Sequence, residues 1–159
     1  MSLLLPKKLR IAGYIILLLG IILGITRFYF GIKLEILDIK VFAVYSNYFE
    51  TNYFKVIPNH FSEEATALLL LVGLFLIVFT KEKIENDVIS TLRLKSFILT
   101  FYVNTVLVAL SFIFIYGFSF LNILVINVFS PLIIYILLFK SFQIKGRIQS
   151  KSNTDIADK

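Results

Sequence analysis

Few side chains in this sequence can do chemistry. Cysteine is absent, and His60 is the single histidine among 159 residues. These counts exclude thiol catalysis, disulfide bonds, cysteine-bound clusters and any zinc site that needs two or more histidine or cysteine ligands. The sequence also lacks the G-x-S-x-G, glycine-rich phosphate-loop and H-E-x-x-H motifs. We therefore predict a protein that is not an enzyme and that holds no cofactor and no metal ion.

Two adjacent carboxylates, Glu63 and Glu64, are the next residues of chemical interest. They open an apolar run in which Asn59 or Ser62 can cap a helix, and the helix dipole favours acids in its first turn. Arg27 lies near the end of the preceding apolar run. Its guanidinium has two possible roles, an ion pair with Glu63 or Glu64 and a contact with lipid headgroups.

Long apolar runs must position these residues. The hydrophobic set makes up 58% of the chain, charged residues make up 16%, and the mean hydropathy is +0.90. A membrane-crossing helix needs about 20 mainly apolar residues, and four runs have that length: residues 9–30, 62–80, 96–117 and 119–139. The predicted fold class is an all-α membrane protein, a single domain of four transmembrane helices in a bundle over residues 1–140.

Basic residues predict the orientation of these helices. Twelve of the lysines and arginines lie before or at the start of the first run, in residues 81–95 and after the fourth run, whereas four lie near the end of the first run and in the loop of residues 31–61. By the positive-inside rule, both termini and residues 81–95 are cytoplasmic. In a bacterial cell this means the inner membrane. No A-x-A-like cleavage site follows the first run, so we expect it to be retained rather than removed as a signal peptide.

The outer loop, residues 31–61, is expected to be partly β. Residues 33–45 and 51–57 are rich in β-branched and aromatic residues, and the segment between them is compatible with a turn, so a short hairpin is predicted. Its alternation breaks at Ile36-Leu37, which indicates a bulge or a change of structure. The aromatic residues of the loop suit either the headgroup boundary or a ligand-binding or partner-binding cap.

Small residues form a line along the first helix. Glycine recurs there at spacings of seven and four, which return to the same helix face, and a further glycine lies on the second helix: Gly13, Gly20, Gly24, Gly31 and Gly73. Small residues let helix backbones approach closely in lipid. The line suits packing against other helices of this chain or the seam of a homodimer.

Polar groups within the third and fourth runs are Asn104 and Asn127, which we expect to hydrogen-bond to each other. Pro131 follows on the fourth run, where a kink is expected. These residues are the candidates to line a pore. The span interiors contain no Asp, Glu, Lys or His, which argues against a pump or secondary transporter.

The segment of residues 81–96 has an amphipathic helical pattern, with acids before bases as the helix dipole favours. It can be a helix lying at the inner leaflet, an extension of its neighbours, or a docking site for a cytoplasmic protein. The candidate partner-binding residues combine its charges with its apolar stripe: Glu82, Ile84, Glu85, Asp87, Val88, Leu92 and Arg93.

The tract KEKIENDVISTLRLKS, with KVFAVYSNYFETNYFKVI in the outer loop, resembles a bacterial family of small four-helix membrane proteins without an assigned function. The resemblance covers about residues 40–139 and implies the architecture above. This chain differs from the family pattern at Asn86, where an acid is usual, and at Lys95, where an acid is common.

Three functions follow as hypotheses. The first is a noncatalytic adaptor or regulatory component that tethers a cytoplasmic helix-turn-helix regulator through residues 81–96, by analogy with small membrane proteins of this layout. The second is a small oligomeric pore or transporter, and the third, ranked last, is a membrane enzyme. The expected partners are the lipid bilayer, a cytoplasmic protein and a second copy of the chain, but not nucleic acid. Residues 141–159 are expected to form a largely disordered cytoplasmic tail.

Overall fold

The fold is described from a computed structural model that covers residues 4–47, 51–82 and 86–157, with side chains described except at residues 47, 52 and 147–157. These residues are mostly helical, with one antiparallel hairpin. In chain order the elements are α1 (Lys8–Gly24), β1 (Asp38–Asn47), β2 (Thr51–His60), α2 (Ser62–Phe79), α3 (Asp87–Phe114) and α4 (Phe118–Ala157). A π-helical turn, Ile25–Tyr29, extends α1, and a 3-10 turn, Glu35–Leu37, precedes β1.

Four helical stretches of the described residues are long and apolar enough to cross a membrane: α1 together with its π-helical turn (Lys8–Tyr29), α2, α3 and the Phe118–Gly146 part of α4. The sequence prediction of four such helices and of a hairpin is therefore confirmed. The single domain over residues 1–140 stays a prediction. By their internal contacts, the described residues form two compact units. The hairpin unit is Tyr14–Gly73, and the helical unit consists of the described residues of 1–13 and 74–159.

Helix α3 begins at Asp87 rather than at Ser96, where the apolar run begins. Asn86 adopts extended φ and ψ angles of −132° and 175°, and its Oδ1 accepts a hydrogen bond of 2.9 Å from the backbone N–H of Ile89. This side chain satisfies one of the N–H groups that a helix start leaves without a backbone partner. The charged segment before the apolar run is therefore the first part of the same helix.

Helix α4 also extends beyond its apolar run. We predicted a disordered tail over residues 141–159, but α4 continues through Pro131 and ends at Ala157. Residues 158–159 lie outside the described part of the chain. Adding a residue to an existing helix requires no new nucleation. The Gln, Lys and Arg residues beyond Lys140 also have favourable helix propensities, so a polar composition does not by itself end the helix.

In the hairpin unit, β1 and β2 pair antiparallel, from Asp38 opposite His60 to Asn47 opposite Thr51. The rings of Tyr45 and Tyr53 face each other across the strands at 5.4 Å between centroids. The alternation break at Ile36-Leu37 corresponds to the 3-10 turn, which is a change of structure rather than a bulge.

Glycines of α1 and α2 allow close helix contact within the hairpin unit. A Cβ added at Gly20 would lie 3.0 Å from Leu69 Cβ, and one at Gly24 would lie 3.2 Å from Thr66 Cγ2. The contact at Gly73 is tighter, because an added Cβ would lie 2.7 Å from the backbone nitrogen of Leu17. Gly31 is not on this face: it follows the helix with φ +66° and has nothing within 4 Å of an added Cβ.

In the helical unit, Val78, Tyr135 and Phe139 form a cluster of buried apolar residues. Five partly buried apolar residues surround it: Phe79, Ile89, Leu92, Leu132 and Ile136. Two residues with hydroxyl groups, Ser96 and Thr100, are buried on α3. Each hydroxyl donates a hydrogen bond to the backbone carbonyl four residues earlier. The chain near Leu5 bonds to Phe79 and Lys81, which holds the N-terminal segment beside the end of α2.

Candidate functional site

The main polar site of the helical unit joins residues that are far apart in the chain. Arg10, at the start of α1, forms an ion pair of 2.5 Å with Glu82, which follows α2, and both side chains are less than one-fifth exposed. Lys140 and Gln143 of α4 also act on this carboxylate. We call Arg10, Glu82, Arg93 and Lys140 the basic cluster, because it has three basic side chains and one acid.

The pKa of Glu82 is lowered from its ordinary value of 4.5. Burial alone raises the pKa of this carboxyl, because it removes water from the charged form. The hydrogen bond and positive charge of Arg10, a hydrogen bond with Gln143 and the charge of Lys140 together outweigh that effect. Glu82 is therefore held as a carboxylate by groups from two other helices.

Arg93 is held by contacts with α2 and α4. Its Nη1 donates a hydrogen bond of 3.1 Å to the carbonyl of Val78 and one of 3.5 Å to the hydroxyl of Tyr135. Its guanidinium carbon also lies 5.1 Å from the centre of the Phe139 ring, a cation–π distance. These contacts place the first turns of α3 against the core of the helical unit.

Two adjoining cavities share Val78, Arg93 and Tyr135. The smaller one also contains Arg10, Glu82 and Lys140 of the basic cluster. The larger one, which we call the apolar groove, has a volume of about 440 Å³. Its full lining is Leu4, Val78, Phe79, Ser90, Arg93, Leu94, Phe97 and Tyr135.

The structure separates the predicted partner-binding residues into three groups. Glu82, Leu92 and Arg93 make contacts inside the helical unit. Asp87 and Val88 are exposed, Val88 by 64%. Residues 84 and 85, Ile84 and Glu85, lie outside the described residues. Two of the predicted partner-binding residues, Glu82 and Arg93, therefore have charged groups with intramolecular contacts.

In the hairpin unit, Arg27 forms one of the two ion pairs considered from the sequence. Its Nη2 lies 2.7 Å from Glu63 Oε1. Glu64 instead accepts a hydrogen bond of 3.1 Å from the side chain of Asn59. The two adjacent carboxylates thus have different partners. Because 55% of the Glu63 side chain is exposed, solvent weakens this pair.

A second polar chain in the hairpin unit was not anticipated. Nδ1 of His60 contacts a carboxylate oxygen of Asp38, and its Nε2 lies 2.7 Å from Ser62 Oγ. This order of contacts is that of a Ser-His-Asp catalytic triad. Ser62 is 1% exposed, however, so an external substrate has no access to its hydroxyl in this arrangement. These contacts link the first residue of β1 and the last residue of β2 to the start of α2.

The sequence contains the three residues of this hydrogen-bonded group, but their proximity can be predicted only if the hairpin is assumed. His60 and Ser62 are two residues apart, but Asp38 joins them because the strand register places it opposite His60. Strand register depends on the turn and on side-chain pattern over both strands. A search for motifs along the sequence therefore does not find it.

A third polar group lies between α3 and α4. Asn104 Nδ2 donates a hydrogen bond of 3.1 Å to Asn127 Oδ1, as expected from the sequence. The hydroxyl of Ser130 donates to Asn104 Oδ1 and lies 3.2 Å from Asn127 Oδ1. Each amide thus has a partner within the helical unit, and the group joins the two helices.

Among the residues that the structure describes, no group of three or more His, Asp or Glu side chains is arranged to hold a metal ion. Comparison of the chain with protein-family models, curated proteins and solved structures gave no match. The geometry of the sites described above is therefore the basis for any functional assignment.

Proposed function

We propose that this chain is a multi-pass protein of the bacterial inner membrane, a bundle of four transmembrane helices with both termini in the cytoplasm. The support is the surface of the helices. In the most apolar 18-residue window of each helix, between 6% and 33% of the residues are buried within the chain. In water the exposed apolar area would be a large aggregation liability, whereas acyl chains solvate it.

We also propose that the chain belongs to the family of small bacterial four-helix membrane proteins, because the tract of residues 82–96 resembles theirs. The charged residues described in this tract have two kinds of environment in the structure. Glu82 and Arg93 make intramolecular contacts, whereas Asp87 and Lys95 are exposed.

We further propose a noncatalytic adaptor or regulatory role, in which the first turns of α3 tether a cytoplasmic regulator. One observation carries this proposal: the charged start of α3 is a helix held in place on one side and exposed on the other. Leu92 and Arg93 hold it against the core, while Asp87, Val88 and Lys95 are exposed. A rigid helix face loses less conformational entropy on binding than a flexible loop.

The experiment is site-specific photocrosslinking in native cells. A photoreactive residue at Val88 or Lys95 is expected to capture a cytoplasmic protein, with a helix-turn-helix regulator as the specific expectation. The matched control is the same residue at Leu110, which is 44% exposed on the same helix but lies within the apolar run. If Val88 and Lys95 label the same species as Leu110, or only lipid and this protein, the docking role is wrong.

A small oligomeric pore or transporter is the second candidate, favoured by the Asn104, Asn127 and Ser130 group within the spans. An adaptor predicts no ion or solute flux in liposomes that contain the purified protein. A pore predicts an oligomer in mild detergent and a flux that Asn104→Leu reduces. A monomer without flux contradicts the pore.

A further inference from the structure

The apolar groove of the helical unit changes character along one face of α3. Ser90, Arg93, Leu94 and Phe97 line it at spacings of three, four and seven residues from Ser90, which places them on the same helix face. Its polar groups come first, at Ser90 and Arg93. The apolar Leu94 and Phe97 follow about one to two helical turns later.

The rest of the lining follows the same order, from polar to apolar. Val78 and Tyr135 form a buried floor, 6% and 4% exposed, with the Tyr135 hydroxyl beside Arg93. Leu94 and Phe97 remain 59% and 46% exposed although they lie beside the floor. A ligand lying here would have a polar end near Ser90 and Arg93 and a long apolar part along Leu94 and Phe97.

The charge near the polar end selects the sign of that ligand. The adjoining cavity is lined by three basic side chains, Arg10, Arg93 and Lys140, against the single carboxylate of Glu82. The net positive charge of the lining favours an anion. A volume of about 440 Å³ lies within the range of sites that hold small organic ligands.

We propose that the apolar groove binds one anionic phospholipid, with its phosphate at Ser90 and Arg93 and an acyl chain along Leu94 and Phe97. Basic pockets between transmembrane helices on the cytoplasmic side are suited to such headgroups. The inference rests on the proposed membrane location, in which the start of α3 lies at the inner leaflet. It goes beyond that location, because it names a specific lipid class and the residues that select it.

The test uses the full chain purified in detergent and native mass spectrometry with added lipid. Phosphatidylglycerol is expected to bind on the order of tenfold more tightly than phosphatidylcholine with identical acyl chains. Both lipids carry the phosphate, but only phosphatidylglycerol has a net negative charge, whereas the positive choline of phosphatidylcholine is repelled by the basic cluster. Glycerol 3-phosphate, which has the headgroup but no acyl chain, is expected not to displace phosphatidylglycerol at equal concentration.

Substitutions near the proposed phosphate position distinguish a specific lipid site from a general attraction of anionic lipid to basic residues. Arg93→Gln is expected to reduce the preference for phosphatidylglycerol several-fold, because it removes a positive charge. Ser90→Ala is expected to weaken the binding of both lipids, because both carry the phosphate. Lys95→Gln removes the same charge from an exposed position of α3 outside the groove and is expected to leave the preference unchanged. Ser90 is exposed, so its variant remains informative if Arg93→Gln does not fold.

Substitutions in the part of the groove that would contact the acyl chain test the rest of the proposal. Leu94→Ser is expected to weaken both lipids, whereas Ile98→Ser, at a position 47% exposed on α3 but outside the groove, is not. Equal binding of the two lipids by the natural chain would overturn the inference. So would displacement by glycerol 3-phosphate, equal effects of Lys95→Gln and Arg93→Gln on the preference, unchanged lipid binding by Ser90→Ala, or equal effects of Leu94→Ser and Ile98→Ser.

The two proposals fail in distinguishable ways. Extraction of the protein from membranes by alkaline carbonate would contradict the membrane location itself. Retention in the membrane together with equal binding of the two lipids would leave the location standing and remove only the lipid site.

Discussion

At the scale of single residues, some of the charged side chains pair with residues far away in the sequence. Arg10 with Glu82, and Arg27 with Glu63, are pairs between distant parts of the sequence. The two differ in exposure: both members of the first pair are less than one-fifth exposed, whereas Glu63 is more than half exposed. Because solvent screening decides how much such a pair contributes, the Arg10 pair should matter more for stability.

Glu82 gives a prediction with a pH dependence. Its pKa is lower in the folded protein than the ordinary value of 4.5, so its stabilising effect is present above about pH 4.5 and is lost as the pH falls through the folded pKa. At pH 7, Glu82→Gln is expected to reduce the free energy of unfolding by about 1–3 kcal/mol, because Arg10 loses a charged partner. Thermal unfolding in detergent between pH 3.5 and 7 measures this.

The control for that measurement is Glu35→Gln, since Glu35 is exposed in the 3-10 turn before β1. It should leave the melting temperature close to that of the natural chain at every pH. A Glu82→Gln variant whose deficit stays constant down to pH 3.5 would contradict the role given to the carboxylate charge.

At the scale of elements, helix packing depends on a few positions without a side chain. In the hairpin unit, a Cβ at Gly73 would lie 2.7 and 2.8 Å from backbone atoms of Leu17, and backbone cannot move aside as a flexible side chain can. At Gly146 of α4, nothing lies within 4 Å of an added Cβ. The same substitution therefore has opposite consequences in the two helices.

Gly73→Ala is expected to destabilise the protein by about 1–3 kcal/mol, the usual cost of forcing extra atoms into a packed contact. Gly146→Ala is expected to be neutral or to stabilise by up to about 1 kcal/mol, because alanine has the better helix propensity. Unfolding of both variants in detergent, monitored by circular dichroism, compares them directly. Equal stabilities would show that the close contact of Gly73 with α1 does not limit packing.

At the scale of the whole molecule, the proposed topology accounts for where charge and apolar surface occur along the chain. Four apolar helices alternate with segments whose basic content differs between the two sides. If the proposed topology holds, the hairpin unit is expected on the outer side of the inner membrane and the start of α3 in the cytoplasm, the compartment where a regulator would be found.

Reporter fusions test the topology. Fusions after Phe49, Thr91 and Lys159 are expected to report outside, inside and inside, because the positive-inside rule assigns the more basic segments to the cytoplasm. Paired alkaline phosphatase and green fluorescent protein fusions give opposite signals at each site and so control for expression. An external C-terminus would contradict the four-span arrangement.

Much of the architecture was determined by the sequence itself. The four helices follow from the length of the apolar runs, and the hairpin follows from two β-rich segments around a turn, since both are patterns of neighbouring residues. The apolar runs alone do not give the ends of the helices, because the cap of α3 at Asn86 lies before its apolar run and α4 continues beyond its own. Of the alternatives for residues 81–96, the structure has the extension of the third helix.

Only the tertiary structure decided which residues meet. The amphipathic pattern of residues 81–96 does not reveal that Leu92 and Arg93 contact the core while Asp87 and Val88 stay exposed. Periodicity gives the face of a helix but not its neighbour, because the neighbour is set by contacts between segments far apart in the chain. For the same reason, the pairing of Arg10 with Glu82 and the chain from Asp38 through His60 to Ser62 required the folded molecule.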